Sequence, residues 1–426
     1  MIFTTKHIFS RSNLAFLDQA FVSGMNFLTG LALARFLGLE GYGQYVLVYG
    51  VILFFSTLQI SLIVSPMMVR GAAIEESLKE RYFSVVTIQQ FLFSVLSAVV
   101  LIIAGLIAGS MFGFHEFERL LVPLALATAV FLMQDYYRRY FFVVKKPVFA
   151  FINDILSYGI QFTLVVFFGI SKNIDTAYAL WFMVFAFLLA AFVAFIQSGR
   201  KMTSGFSDRS YFVEVLRESY HFGKWLLGAN TMYWGQAQVV NYFVVGAISV
   251  ATVGALNACK NVLGILNIFF LGLQNILLPD ASRSYKDNGI KGLRRYLGQV
   301  AVLGGIITIA VALVAGIWNE YWMRLLYGSV YRGYGWIVIW WGVYFVISFF
   351  HRPYSAGLSV LDRTRRIFHS MIVGFGLFVV LGYFFTIHWQ VNGVMFLMCL
   401  SNLVTLLLLR MGFTKEHEIV QRVSLS

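Results

Sequence analysis

Long apolar runs alternate with short polar connections along the whole chain. They fall at 14–36, 42–68, 83–111, 120–134, 147–170, 177–197, 222–247, 252–278, 297–318, 334–350, 367–387 and 391–409. Most reach the ~20 residues that a helix needs to cross a bilayer. The fourth and tenth are the shortest. The runs are continuous and do not alternate with a two-residue period, which speaks against a β-barrel. The pattern predicts an all-α polytopic membrane protein with twelve transmembrane helices.

The connections set the orientation. With a cytoplasmic N-terminus, 26 of the 32 Lys and Arg fall in inner segments, five in outer segments, and Lys260 inside the eighth span. Basic residues accumulate on the cytoplasmic side of membrane proteins, so this split supports the count of spans and puts both termini inside. The longest connection without an apolar run is 198–221, polar and cytoplasmic. It divides the chain into an N-terminal six-helix bundle (1–197), a linker (198–221) and a C-terminal six-helix bundle with its tail (222–426). Six is even, so the halves share one orientation, which permits a pseudo-two-fold along the membrane normal. A trace of such a repeat stands at LGLEGYGQY (37–45) and ISVATVGAL (248–256). Each joins the first two spans of its half, and in each a small residue precedes a glycine by five positions, Gly38 to Gly43 and Ser249 to Gly254.

Composition closes off other classes. The chain is 59% hydrophobic and 12% charged, whereas soluble domains carry about 25% charged residues. Disorder, coiled coil and disulfide scaffold are excluded on the same ground. The net charge of +13 is read as cytoplasmic loops facing anionic lipid, not as a nucleic-acid surface. The aromatic, basic stretch DYYRRYFFVVKKP (135–147) is likewise an interfacial anchor. Cys259 and Cys399 both sit in apolar runs, so no disulfide is expected. The first apolar run is too long for a signal-peptide core, and no cleavage site follows it. There is no Walker motif, no metal-ligand spacing and no catalytic triad pattern. No cofactor, metal or catalytic residue is expected, and ATP-driven pumping is unsupported.

Three stretches resemble the polysaccharide transport family, which holds the O-antigen flippases, within the multidrug/oligosaccharidyl-lipid/polysaccharide exporter superfamily. They are LARFLGLEGYGQYVLVYG (33–50), LLPDASRSYKDNGIKGLRRY (277–296) and WMRLLYGSVYRG (322–333). The resemblance implies two six-helix bundles around a cavity that opens alternately to each side of a bacterial inner membrane. It implies as cargo an oligosaccharide on undecaprenyl diphosphate, destined for O-antigen, lipopolysaccharide, capsule or exopolysaccharide. A polysaccharide polymerase and a chain-length regulator are the implied partners.

Polar residues inside spans are costly and usually face a bundle interior. The seventh span carries Asn230, Trp234, Gln238 and Asn241 on one helical face. The eighth carries Asn257, Lys260 and Asn261, and the first carries Asp18, Asn26 and Thr29. Amides suit sugar hydroxyls and an indole suits a pyranose face, so these stripes are substrate-binding candidates; interhelical hydrogen bonding is the competing explanation. Lys260 lies ~12 Å below the outer end of its span. It is placed either to meet the cargo's diphosphate or to snorkel to the interface. Asp18 resembles the proton or sodium site of the superfamily's multidrug exporters, and with Asp154 it is a coupling-ion candidate. Asp18 is equally placed to cap its helix, and Asp154, after Asn153, to pair with a cation from 138–146. Two alternatives to a flippase remain. A cation-coupled multidrug or small-molecule antiporter shares the fold, but Lys260 disfavours cationic drugs. A glycosyl polymerase or ligase needs an outer catalytic loop, and the longest outer connection, 319–333, holds no acid/base pair.

Overall fold

The computed structural model describes residues 11–112, 118–199 and 209–423, and their regular structure is helical throughout. They form two compact units: one of residues up to Leu37 with Gln44–Gln238, the other of Gly38–Gly43 with residues from Val239 onward. In the first unit α1 (Arg11–Gln59) passes through a π turn (Ile60–Val64) into α2 (Ser65–Ala73). Then come α3 (Glu76–Phe112), α4 (Glu118–Val143), α5 (Pro147–Asp154), a second π turn (Ile155–Gly159), α6 (Ile160–Ile170) and α7 (Thr176–Ser198). Helix α8 (Arg209–Ala247) starts in this unit and ends in the second, which adds α9 (Val250–Val262), α10 (Gly264–Ile317), α11 (Asn319–Tyr327), α12 (Trp336–Val360) and α13 (Thr364–Val423).

The helices are built for lipid. Along α3, Leu92, Leu96, Val99, Ile103 and Leu106 are exposed while Gln89, Gln90, Ser94 and Ser97 are buried. That is the reverse of a soluble amphipathic helix, and it follows when the solvent is hydrocarbon. Seven helices among the described residues are long and apolar enough to cross a membrane. Three of them, Leu17–Gly71, Gly264–Ile317 and Thr364–Lys415, exceed 50 residues and contain non-helical residues at Gly38, Gly289 and Gln390. Helix α4 continues past the apolar run at 120–134 to Val143. The buried Gln134 and the charged residues after it lie on a helix because their partners, described below, are inside the protein.

Local chemistry fixes the ends. Asp175 caps α7 by accepting the Tyr178 N–H at 2.8 Å, and Gly199 ends it at φ 64°, a left-handed conformation that suits glycine. Ser249 caps α9 through the Thr252 N–H at 3.2 Å. The carboxylate of Glu320 accepts the N–H groups of Gly333 and Gly335 at 3.2 and 3.0 Å, tying α11 to the start of α12. The core of the first unit is aromatic, with Phe83, Tyr136, Tyr137 and Phe141 almost wholly buried. That of the second is aliphatic around Leu277, Leu293, Leu358 and Leu409.

The two junctions picked out by the sequence repeat meet in the second unit. A Cβ placed on Gly43 would overlap the carbonyl oxygen of Val250, and one placed on Gly254 would overlap the carbonyl oxygen of Leu39 and lie 3.0 Å from the Gly43 nitrogen. Leu39 precedes Gly43 by four residues and Val250 precedes Gly254 by four, so the contact is reciprocal. Alanine normally stabilises a helix over glycine by about 1 kcal/mol. Here backbone blocks the methyl, and overpacking costs about 1–3 kcal/mol. Gly43→Ala and Gly254→Ala should each lower the melting temperature in detergent, while Gly298→Ala, with open space around its Cβ, should not. A Gly254→Ala protein as heat-stable as wild type would count against the close crossing.

Candidate functional site

Four side chains converge inside the first unit. Helix α4 presents Gln134 and Arg138, one turn apart. The Arg138 guanidinium bridges two carboxylates, with Nη2 to Asp18 Oδ2 at 2.5 Å and Nε to Asp154 Oδ2 at 2.7 Å. Gln134 Nε2 donates to the other oxygen of Asp154 at 2.6 Å. Asp18 and Asp154 are 1% and 0% exposed. Asp154 is the last residue of α5, immediately before the π turn at Ile155–Gly159; such turns recur at functional sites. With all three ionised, the cluster holds one negative charge in excess. Asp18 Oδ1 and Gln134 Oε1 are buried acceptors with no donor among the described residues. A buried excess charge with spare acceptors is a place for a proton or a small cation. Among the described residues no three His, Cys, Asp or Glu converge as a metal site.

The sequence singled out both aspartates as coupling-ion candidates, and the structure puts them on one guanidinium. It expected a cation from 138–146 to pair with Asp154, and Arg138 is that cation; it placed Arg138 in a loop and did not join it to Asp18, and the available signal was its spacing of four from Gln134. Asp18 lies seven residues inside α1 and is engaged by Arg138, not by its own helix end. The neighbouring Asn153 donates to Gln197 Oε1 at 2.8 Å.

The stripe on α8 is used for packing. Asn230 Nδ2 donates to Ser61 Oγ at 2.9 Å, in the first π turn. Trp234 Nε1 donates to the Gly50 carbonyl at 2.9 Å, and its ring meets Phe54 at 5.1 Å between centroids. Gly223 packs on the Ser61 backbone. These contacts fix how α8 is rotated. Gln238 is the last residue of the first unit, and Asn26 is exposed on α1.

In the second unit, Asn257 Nδ2 donates to Asn241 Oδ1 at 2.7 Å and Asn261 Nδ2 to Tyr42 Oη at 2.9 Å. Lys260, in the last turn of α9, puts Nζ over the ring of Trp341, 5.2 Å from its centroid. That ring is buried, and its Nε1 donates to the Leu256 carbonyl at 2.9 Å. No carboxylate pairs with Lys260 among the described residues. The side chain therefore lies along the protein interior, half-buried, with its charge met by a ring quadrupole and no anion.

The fold has clear relatives. A multidrug resistance MATE family transporter of the MOP superfamily, in an inward-facing conformation, superposes with a TM-score of 0.75 at 13% identity, covering 94% of this chain and 95% of that one. A MOP superfamily transporter from Pyrococcus furiosus Vc1, described as having a binding pocket of reverse polarity that suggests a different function, superposes at 0.64 with 13% identity over 96% of each chain. A MATE protein in complex with MaL6 gives 0.62 at 12% identity over 95% and 94%. At these identities the likeness concerns the fold alone, that of MOP superfamily transporters. No curated protein matches the sequence. The family model described as "Polysaccharide biosynthesis protein" matches residues 14–283. With that model spanning more than half of its length, the chain belongs to the polysaccharide biosynthesis protein family, built on the multi-pass membrane fold of the MOP transporters.

Proposed function

We propose that the protein is a flippase that moves an oligosaccharide linked to undecaprenyl diphosphate across the bacterial inner membrane by alternating access, for surface polysaccharide assembly. The observation that carries this reading is Lys260, a cation within the eighth apolar run with no carboxylate partner among the described residues, in a chain of the polysaccharide biosynthesis family. A diphosphate stripped of water needs such a partner. The cargo's undecaprenyl anchor keeps the reaction in the membrane, where a polymerase and a chain-length regulator would take the product.

The same reading takes the chain as twelve spans in two six-helix bundles with both termini cytoplasmic. A helix of 52–55 residues would run roughly 80 Å, against a ~30 Å hydrocarbon core. Each of the three long helices thus counts as two crossings at its break. With α8 and α12, the seven apolar helices become twelve. The reciprocal Gly43 and Gly254 contact supports the pseudo-two-fold relation of the halves.

A second reading, a cation-coupled multidrug antiporter, draws on the buried Asp18–Arg138–Asp154 cluster and on the multidrug exporters among the fold relatives. In the flippase reading the same cluster couples transport to a proton or sodium gradient. Export in a strain lacking its own flippase separates the two. Surface glycan should return. In whole cells, a cysteine at Ser207 should resist impermeant thiol reagents and one at Ser329 should react. Normal membrane levels without glycan, together with gradient-driven drug efflux, would replace the flippase with the antiporter.

A further inference from the structure

Helix α8 has the wrong exposed surface for lipid. Between His221 and Ala237 no Leu, Ile, Val or Met is exposed, in contrast to the aliphatic outer face of α3, and α8, counted above among the twelve spans, is less apolar than the seven helices that qualify by composition alone. Its exposed side carries instead Phe222, Lys224, Trp225, Gly228, Ala229 and Tyr233. Trp225 is 81% exposed, above every other large apolar side chain described, and Tyr233 is 62% exposed. Eight residues separate the two rings, ~12 Å along a helix. Gly228 and Ala229 lie between them, and a Cβ on Gly228 would meet nothing within 4 Å. Two small exposed residues thus separate two exposed aromatic rings. The rotation of α8 is fixed on its other side by Asn230, Trp234 and Gly223, so this face is held outward.

The end of the strip nearer the start of α8 is basic. Lys224 Nζ lies over the Trp225 ring, 5.8 Å from its centroid. His221 and Arg217 are exposed one and two turns earlier. Glu218 is turned away to Arg70, and Glu214 lies a turn beyond Arg217. A surface that offers cations and then open ring faces complements a ligand that is an anion and then a sugar. Cations meet phosphate oxygens, and indole and phenol rings bury the apolar face of a pyranose while leaving its hydroxyls to water.

From this arrangement we infer that the exposed face of α8 is a loading track for the glycosyl diphosphate end of the cargo. Arg217 and Lys224 receive the diphosphate, and Trp225 and Tyr233 receive sugar rings. The assignment rests on the lipid-linked saccharide reading and adds to it a sugar subsite distinct from the Asn230–Asn241 stripe, whose side chains are turned to packing.

The test is binding to the full-length protein in nanodiscs of two probes, undecaprenyl diphosphate and the same lipid carrying chitobiose. Wild type should bind the chitobiosyl lipid more tightly. Trp225→Leu and Tyr233→Leu should each weaken that probe about tenfold and leave the bare lipid within about twofold, while Trp225→Phe stays within about threefold of wild type. Lys224→Ala should weaken both probes alike. An aromatic ring serving only as a membrane anchor predicts no difference between the probes. Leucine variants of wild-type affinity, equal weakening of both probes, or a wild type indifferent to the sugar would each overturn the track and leave the flippase reading standing. A wild type that binds neither lipid would remove that reading, and the track with it.

Discussion

Arg138→Met should leave little folded protein in the membrane. The substitution keeps most of the side chain's volume and removes the charge that Asp18 and Asp154 share at 2.5 and 2.7 Å. Two carboxylates that are almost wholly buried would then face each other without a counter-ion. Removing one partner of a buried pair costs about 3–5 kcal/mol, a large share of the 5–15 kcal/mol typical of whole domains. The triple variant Asp18→Asn, Arg138→Met, Asp154→Asn should recover the fold, because it removes the stranded charges together. Asp18→Asn alone should also fold, since Asp154 keeps Arg138 paired and the excess negative charge is gone. If that excess charge carries the coupling ion, Asp18→Asn should lose gradient-driven export at normal protein level. Membrane abundance and export measured together read both points. Full gradient-driven export by Asp18→Asn would leave the cluster as a structural ion pair.

Lys260→Glu should stop glycan export at normal protein level. The wild-type ammonium lies over the Trp341 ring with no carboxylate among the described residues, so the variant strands no described partner. Against a diphosphate, however, it sets two like charges together. At an effective dielectric near 20, like unit charges ~4 Å apart repel by about 4 kcal/mol, close to a thousandfold in binding. Lys260→Arg keeps the charge and its preference for an aromatic face and should export in part, whereas Lys260→Ala should fail. A lysine that only reached for the interface would tolerate alanine. Wild-type surface glycan from Lys260→Ala, in a strain without its own flippase, would end the diphosphate role.

The apolar runs show most of the helices in the sequence because hydrocarbon solvent demands continuous apolar segments. The same rule hides Arg138 and Gln134. A charge after an apolar run reads as a loop, yet Arg138 continues α4 since its partners, 120 residues earlier at Asp18 and 16 later at Asp154, lie inside. The Asp154 pair, 16 residues away, was within reach of the 138–146 cations, but pairing over 120 residues to Asp18 leaves no local trace. Periodicity also groups Asn230 with Trp234 and marks a face of α8, but it carries no sign: the marked face turned out to pack on Ser61, Gly50 and Phe54. Trp225 and Tyr233 went unmarked because exposed aromatic residues in an apolar run look like any other lipid-facing side chain. What distinguishes them is the absence of exposed aliphatic neighbours, which needs the structure. The matching spacing at 38–43 and 249–254 was legible in the sequence, but the close contact of Gly43 and Gly254 was not.

The π turns at Ile60–Val64 and Ile155–Gly159 bear on how this chain is to be aligned with distant sequences. A π turn holds one residue more than the α-helix it interrupts, and each residue of an α-helix advances the azimuth by about 100°. A gapless alignment to a relative lacking the turn would therefore match Asp154 correctly and then misplace everything in α6 by a quarter turn or more, exchanging interior positions for lipid-facing ones. The same slip after Ile60 would carry Ser65 and Pro66 off their counterparts. For this chain a single-residue gap within each π turn is a structural requirement, and substitution patterns read across either turn without it would report the wrong face of the helix.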